Sequence, residues 1–206
     1  MTDTSKASDA LPERNRMKNT STIALAVAGL WIISLLTLLI DFSGAQLFFR
    51  AISLGTSILA GIGMLALVWI FSGPPSEEQQ TIPMVVGIVG GIVYVAASVL
   101  ILIEFRIFPE LAPWVMGGLA IYGVWMILVS AFPTEDTTAL ARGLGFAVGV
   151  GFILLFISVL AIGTMDPTSP APSDSNPVMV IVQFVGGGIA YLGFPVWLFL
   201  LTRHLR

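Results

Sequence analysis

Few side chains in this sequence could carry out chemistry. The chain has 206 residues, no Cys, and a single His at position 204. Without cysteine, disulfides, thiolate zinc sites, iron–sulfur clusters and cysteine nucleophiles are excluded. One histidine cannot form a bis-histidine haem site or a histidine-rich metal site. The sequence therefore predicts no metal and no cofactor.

Three polar residues inside long apolar runs stand out as a candidate internal polar site. They are Tyr94, Gln183 and Tyr191. Ser and Thr hydroxyls in such runs can bond to carbonyls of their own helix, but a phenol or an amide in hydrocarbon needs another partner. The alternative interpretation of the same three residues is simple hydrogen bonding between helices.

Charged residues are absent from the middle of every apolar run. Ionisable groups at membrane depth mark proton relays, ion pathways and counter-ions, so their absence argues against a proton-coupled transporter, an ion pump or retinal linkage. No nucleophile or acid–base pair can be assembled there either, and we expect a protein that is not an enzyme. At the ends of the runs lie residues that could form gates or simply mark solvated span boundaries: Asp41, Glu104, Arg106, Glu110, Glu135 and Asp136.

The apolar runs themselves are long enough to cross a bilayer. The composition is 56% hydrophobic and 10% charged with a mean hydropathy of +0.96, whereas soluble domains carry about 25% charged residues. A transmembrane helix needs about 20 apolar residues. The predicted fold is therefore an all-α integral membrane protein with six transmembrane helices, over 21–40, 51–71, 84–103, 113–132, 143–162 and 178–201.

The polar segments give the predicted organisation and orientation. We expect a disordered polar cytoplasmic tail over 1–20, four spans within 21–132, two spans within 143–201, and a cytoplasmic tail over 202–206. Six spans place most Lys and Arg on the side of the N-terminal tail, with only Arg50 and Arg106 opposite. The excess of cations on the cytoplasmic side places both termini in the cytoplasm, in a plasma or inner membrane.

An internal repeat relates the two halves of the chain. The second span aligns with the fifth, the third with the sixth, and the first more weakly with the fourth. In the third and sixth spans the motif GGIVY, from Gly90 to Tyr94, matches GGIAY, from Gly187 to Tyr191. A three-span unit repeated in tandem must be inverted in its second copy, an arrangement that recurs in transporters. A six-helix bundle built by duplication, without transport, is the alternative.

Small residues and one proline predict close helix packing or a hinge. Glycine at helix contacts lets backbones approach in lipid, and unwound glycine pairs also occur beside transporter binding sites. Proline removes one helical hydrogen bond and should kink the sixth span. The residues in question are Gly87, Gly90, Gly91, Gly187, Gly188 and Pro195.

Two functions are consistent with these features. One is a small transporter or channel for an uncharged or lipid-like solute, favoured by the repeat, the glycine-rich spans and the proline. The other is a structural or accessory subunit that packs against a partner membrane protein, favoured by the apolar interior and short loops. Besides the lipid bilayer, the expected partners are another membrane protein or a second copy of the chain, and the net charge of −3 predicts no nucleic-acid binding.

Overall fold

Six α-helices make up the part of the chain that the structure describes. The computed structural model describes residues 5–42, 47–71, 78–103, 108–131, 138–162 and 176–204. These ranges hold α1 (Ser5–Phe42), α2 (Leu47–Phe71), α3 (Glu78–Ile103), α4 (Phe108–Ala131), α5 (Ala139–Ile162) and α6 (Pro177–His204). The same ranges contain no strand, so the predicted all-α fold with six long helices is confirmed.

Each helix contains a stretch that is long and apolar enough to cross a membrane. The stretches have mean hydropathies of 1.8 to 2.6 and run over Asn19–Leu38, Ala51–Phe71, Thr81–Ile103, Glu110–Ala131, Ala139–Ile162 and Pro177–Arg203. Their outward faces carry large exposed apolar side chains, such as Leu36, Ile62, Ile92, Leu160 and Leu192. In hydrocarbon every backbone amide must be paired within the protein, and a helix achieves this within one segment. The chain is thus a multi-pass membrane protein.

Two helix ends differ from the sequence prediction. α1 begins at Ser5, inside the tail predicted to be disordered, because a helix already nucleated by a membrane span extends one residue at a time at low cost. α5 begins at Ala139 rather than at 143, since Arg142 does not interrupt it. The Arg142 side chain is half-buried, and its Nε donates to the Ser130 carbonyl of α4 at 3.3 Å. A cation with a bundle partner can therefore lie within the helix.

Side-chain caps start the last two helices. The Thr138 hydroxyl accepts a hydrogen bond from the Ala141 amide at 3.3 Å, and the Asn176 side-chain oxygen accepts one from the Val178 amide at 3.0 Å. Such caps satisfy amides that have no partner in the first turn. They explain why α5 and α6 begin where they do.

The helices pack in chain order into a ring. Each helix contacts its neighbours in sequence, and α1 also contacts α6, which closes the ring. Buried side chains from all six helices meet inside it. The ring does not test the proposed repeat, because any six helices packed in chain order would close in the same way.

Glycines bring the backbones of α3, α4 and α5 into direct contact. A Cβ at Gly90 would lie 2.6 Å from the Tyr122 backbone nitrogen, and one at Gly123 would lie 2.6 Å from the Gly149 carbonyl oxygen. Real Cβ atoms do not approach backbone this closely, so these positions require glycine. Close backbone approach is a main source of helix association in lipid.

Candidate functional site

Aromatic side chains fill the centre of the ring. The closest ring pairs are Tyr122 with Trp125, at 4.7 Å between centroids, and Trp31 with Phe194, at 4.9 Å. Tilted and edge-to-face pairs of this kind each add to the energy of apolar burial. We call this group the aromatic core, and it consists of Trp31, Tyr94, Tyr122, Trp125, Phe152, Tyr191, Phe194 and Trp197.

Trp31 joins the two tyrosines that the sequence singled out. Its ring lies 6.3 Å from the ring of Tyr94 on α3 and 5.6 Å from that of Tyr191 on α6. Tyr94 and Tyr191 therefore belong to one site, because both rings lie beside the same indole from α1. The sequence offered no sign of this contact.

The three tyrosine hydroxyls have different partners. The Tyr94 hydroxyl shares a hydrogen bond with the Ser57 side chain of α2. The Tyr191 hydroxyl donates to the Met116 sulfur of α4 at 3.8 Å, and a thioether is a weak acceptor. The Tyr122 hydroxyl is buried and makes no hydrogen bond with any described residue. The core thus contains one satisfied, one weakly satisfied and one unsatisfied phenol.

Serines extend the polar contacts of Tyr94 to the α1–α2 interface. The Ser34 hydroxyl lies 3.1 Å from the Ser53 carbonyl oxygen, and the Ser53 hydroxyl lies 3.1 Å from the Ser34 carbonyl oxygen. Ser34 also contacts the Ser57 hydroxyl at 2.5 Å. This network binds α1 to α2, and sequence reasoning missed it because serines in apolar helices commonly bond only to their own helix.

Gln183 lies apart from the two tyrosines. It precedes Tyr191 by two turns of α6, a rise of about 12 Å. Its side-chain oxygen is buried and has no hydrogen-bond partner among the described residues. Gln183 therefore forms a second unsatisfied polar point, closer to the start of α6.

Pro195 lies within α6 and affects the backbone of Tyr191. α6 continues through Pro195 from Pro177 to His204. Residue 195 would normally donate its amide hydrogen to the carbonyl of residue 191, but proline has no amide hydrogen. The Trp31 indole Nε1 donates to this Tyr191 carbonyl at 3.2 Å instead. The kink predicted at Pro195 stays a prediction, whereas the missing backbone bond has a visible replacement.

The glycines predicted for packing or a hinge fall into two groups. Gly87, Gly90 and Gly91 on α3 each lie so close to another helix that a Cβ would collide with it. On α6, a Cβ at Gly187 would meet only ordinary contacts, and one at Gly188 would meet nothing within 4 Å. The third helix therefore uses its glycine pair for packing, whereas the matching pair in the sixth leaves space.

Among the charged boundary residues, only Glu110 has a described side chain. Glu110 is exposed at the start of α4. The others lie where the structure describes no side chain: Asp41, Glu104, Arg106, Glu135 and Asp136. Within the described ranges, no group of three or more His, Asp or Glu is arranged to hold a metal ion.

Comparison of the chain with protein families, with characterised proteins and with solved structures finds no match. Its functional interpretation therefore depends on the geometry of the aromatic core. That geometry combines a large apolar aromatic surface with a few neutral hydrogen-bonding groups.

Proposed function

We propose that the protein is a small transporter that binds an uncharged or lipid-like solute in the aromatic core. The observation that carries the proposal is the Tyr122 hydroxyl, which is buried at the centre of the ring without a partner among the described residues. An unsatisfied buried hydroxyl costs about 1–3 kcal/mol. A solute that bonds to it would recover this energy, and the same energy would contribute to binding.

The chemistry of the core supports a neutral solute with an apolar body. Its hydrogen-bonding groups are phenols and serines, and its walls are indole and phenyl rings. A charged solute would lose its hydration without gaining a counter-charge, which is costly in a medium of low dielectric constant. A neutral solute with one hydrogen-bonding group loses much less.

Tyr191 supports a site whose contacts can be exchanged. Its hydroxyl is bonded to the Met116 sulfur, a weak acceptor on a flexible side chain. A solute oxygen would replace this contact with a stronger one. Together with Tyr122, Tyr191 would then hold the solute from two helices, α4 and α6.

An accessory role is the second candidate, and one observation favours it. Gly188 is exposed on α6, and the neighbouring Phe184, Val185 and Leu192 are exposed apolar side chains. A helix of a partner membrane protein could approach the backbone of α6 closely at this glycine. Under this proposal the aromatic core is structural.

Reconstitution of the purified protein into liposomes distinguishes transport from an accessory role. Two probes cover the solute class: glycerol, followed by light scattering as the vesicles reswell, and a fluorescent analogue of an uncharged glycolipid, followed by its transfer between leaflets. We expect flux of at least one probe above that of protein-free liposomes, reduced in Y122F and in Y191F. The control is W69F, since Trp69 is 60% exposed on α2 and does not belong to the aromatic core.

Two results would contradict transport. One is flux equal to that of protein-free liposomes for both probes, and the other is flux that is unchanged in Y122F and Y191F. A stoichiometric partner that stays bound to wild type in mild detergent and is lost from a Gly188→Leu variant would instead support the accessory role.

A further inference from the structure

The contact between α1 and α6 differs from the contact between α3 and α4, its counterpart in the internal repeat. At the α3–α4 contact, Gly90 lies against the backbone of α4. The repeat predicts that Gly187 and Gly188 occupy the corresponding place at the α1–α6 contact, yet neither is in close contact with α1. The closure of the ring therefore lacks the glycine-mediated backbone packing seen elsewhere.

The ring divides into a four-helix body and a hairpin. Between α3, α4, α5 and α6, glycine positions lie directly against backbone atoms: Gly90 against Tyr122, Gly123 against Gly149, and Gly151 against Ala190. Between α2 and α3, the close atoms at the glycines belong to side chains: Leu65, Val68, Tyr94 and Val95. Side chains can change rotamer, whereas backbones in contact cannot, so the α1–α2 hairpin has the freer boundaries.

The hairpin is held together internally. Ser34 and Ser53 bond reciprocally to each other's carbonyl oxygens, and Ser34 bonds to Ser57 as well. Gly63 of α2 also lies in close contact with the Val27 side chain of α1. α1 and α2 would therefore move as one unit.

One hydrogen bond between α1 and α6 depends on Pro195. Because Pro195 cannot donate to the Tyr191 carbonyl, this carbonyl is available to the Trp31 indole, which donates to it at 3.2 Å. In hydrocarbon no water replaces a lost donor, so the bond favours the closed position of the hairpin. The bond joins the side chain of one aromatic-core residue, Trp31, to the backbone carbonyl of another, Tyr191.

We infer that the α1–α6 contact is a lateral gate through which a solute dissolved in the bilayer reaches the aromatic core, with the Trp31–Tyr191 hydrogen bond as its closure. This inference rests on the proposed function, because it assigns the route to the same site. Opening moves the α1–α2 hairpin away from α6 and exposes Tyr191, which is half-buried at the gate.

Electron paramagnetic resonance distances in lipid nanodiscs test the gate without any solute. The natural chain has no Cys, so spin labels can be attached at introduced cysteines alone. The gate pair is I32C with L192C, and the control pair across the α3–α4 contact is V89C with V124C; all four side chains are exposed. We expect W31F to raise the population of long distances at the gate pair about two- to tenfold, the effect of one hydrogen bond, and to leave the control pair unchanged.

A double-mutant comparison separates the hydrogen bond from simple loss of indole volume. P195A restores the amide that pairs with the Tyr191 carbonyl inside α6. This carbonyl then no longer needs the Trp31 indole as its donor. We expect W31F to widen the gate pair in wild type and to add little in P195A. Equal effects of W31F in both backgrounds, no effect in either, or equal widening at the control pair would each overturn the gate.

The outcomes for gate and transport are distinguishable. If the gate pair responds as expected but neither glycerol nor the uncharged glycolipid analogue crosses the liposome membrane, the transport proposal is wrong and only the hairpin movement is supported. If flux is present but the gate pair does not respond to W31F, the gate is wrong and transport stands. Cross-linking of I32C to L192C with a short bifunctional reagent should abolish flux only if both hold.

Discussion

At the scale of single residues, the aromatic core places three tyrosines in three hydrogen-bonding situations. Tyr94 has a hydroxyl partner in Ser57, Tyr191 has a thioether partner in Met116, and Tyr122 has none among the described residues. Removal of a phenolic oxygen should therefore have opposite consequences at different positions, although the substitution is the same.

We expect Y122F to stabilise the protein and Y94F to destabilise it. Y122F removes a buried polar group without a partner, and the gain should be about 1 kcal/mol. Y94F leaves Ser57 without its phenol partner, and interhelical bonds in membranes contribute about 0.6 kcal/mol on average. Thermal denaturation in detergent, with no solute added, measures both. A loss of stability in Y122F would show that its hydroxyl has a partner.

At the scale of helices, the interior contacts divide by the atoms that meet. In α3 and α4 backbone meets backbone at Gly90 and Gly118, whereas α1 and α2 meet through serine hydroxyls. A backbone contact at glycine has no room for an added side-chain atom. A substitution at a serine contact removes only a hydrogen bond.

Gly90→Ala should destabilise the helix bundle, whereas Gly188→Ala should not. A methyl group at position 90 would lie 2.6 Å from the Tyr122 nitrogen, and overpacking of this kind costs about 1–3 kcal/mol. Position 188 has nothing within 4 Å of the new atom. Denaturation midpoints of the two variants provide the comparison. Similar losses at both positions would contradict the assigned contacts.

Ser34→Ala should destabilise the α1–α2 contact less than Gly90→Ala destabilises the α3–α4 contact. Ser34 takes part in bonds to both Ser53 and Ser57, but each such bond in a membrane contributes only about 0.6 kcal/mol. Thr37→Ala is the matched control, because the Thr37 hydroxyl bonds only to carbonyls of its own helix, at 2.8 and 3.0 Å. Limited proteolysis between α1 and α2 should be faster in Ser34→Ala than in Thr37→Ala, and the thermal midpoint of Ser34→Ala should be lower.

The sequence predicted the six helices because length and hydropathy alone identify membrane spans. It selected Tyr94, Gln183 and Tyr191 as polar groups in apolar runs, but it did not select Tyr122, whose lack of a partner depends on how the helices pack. It could not select Trp31 or the serines, because indole and hydroxyl groups in apolar helices are common and their partners depend on helix rotation. The sequence predicts a fifth span that begins only at 143, because the contact of Arg142 with the Ser130 carbonyl exists only after α4 and α5 have packed.

At the scale of the whole molecule, six spans place both ends of the chain on one side of the membrane. The distribution of Lys and Arg predicts that this side is the cytoplasm. The helices alone are equally consistent with the opposite orientation, so chemical labelling has to decide it.

Single cysteines in segments between spans should react according to side. S169C lies between the fifth and sixth spans and should react with a membrane-impermeant thiol reagent in intact cells. S76C lies between the second and third spans and should react only after the membrane is permeabilised. The chain has no Cys of its own, so wild type is the background control. The reverse pattern would place both termini outside.

The Trp31–Tyr191 hydrogen bond also has a consequence for how the protein is made. α6 leaves the ribosome after α1, and because of Pro195 it cannot pair the Tyr191 carbonyl by itself. The missing donor belongs to α1, which is made before α6. A carbonyl without a donor is unfavourable in hydrocarbon, so α6 gains a preference for docking against α1. The ring of six helices is therefore complete only when its first and sixth helices meet.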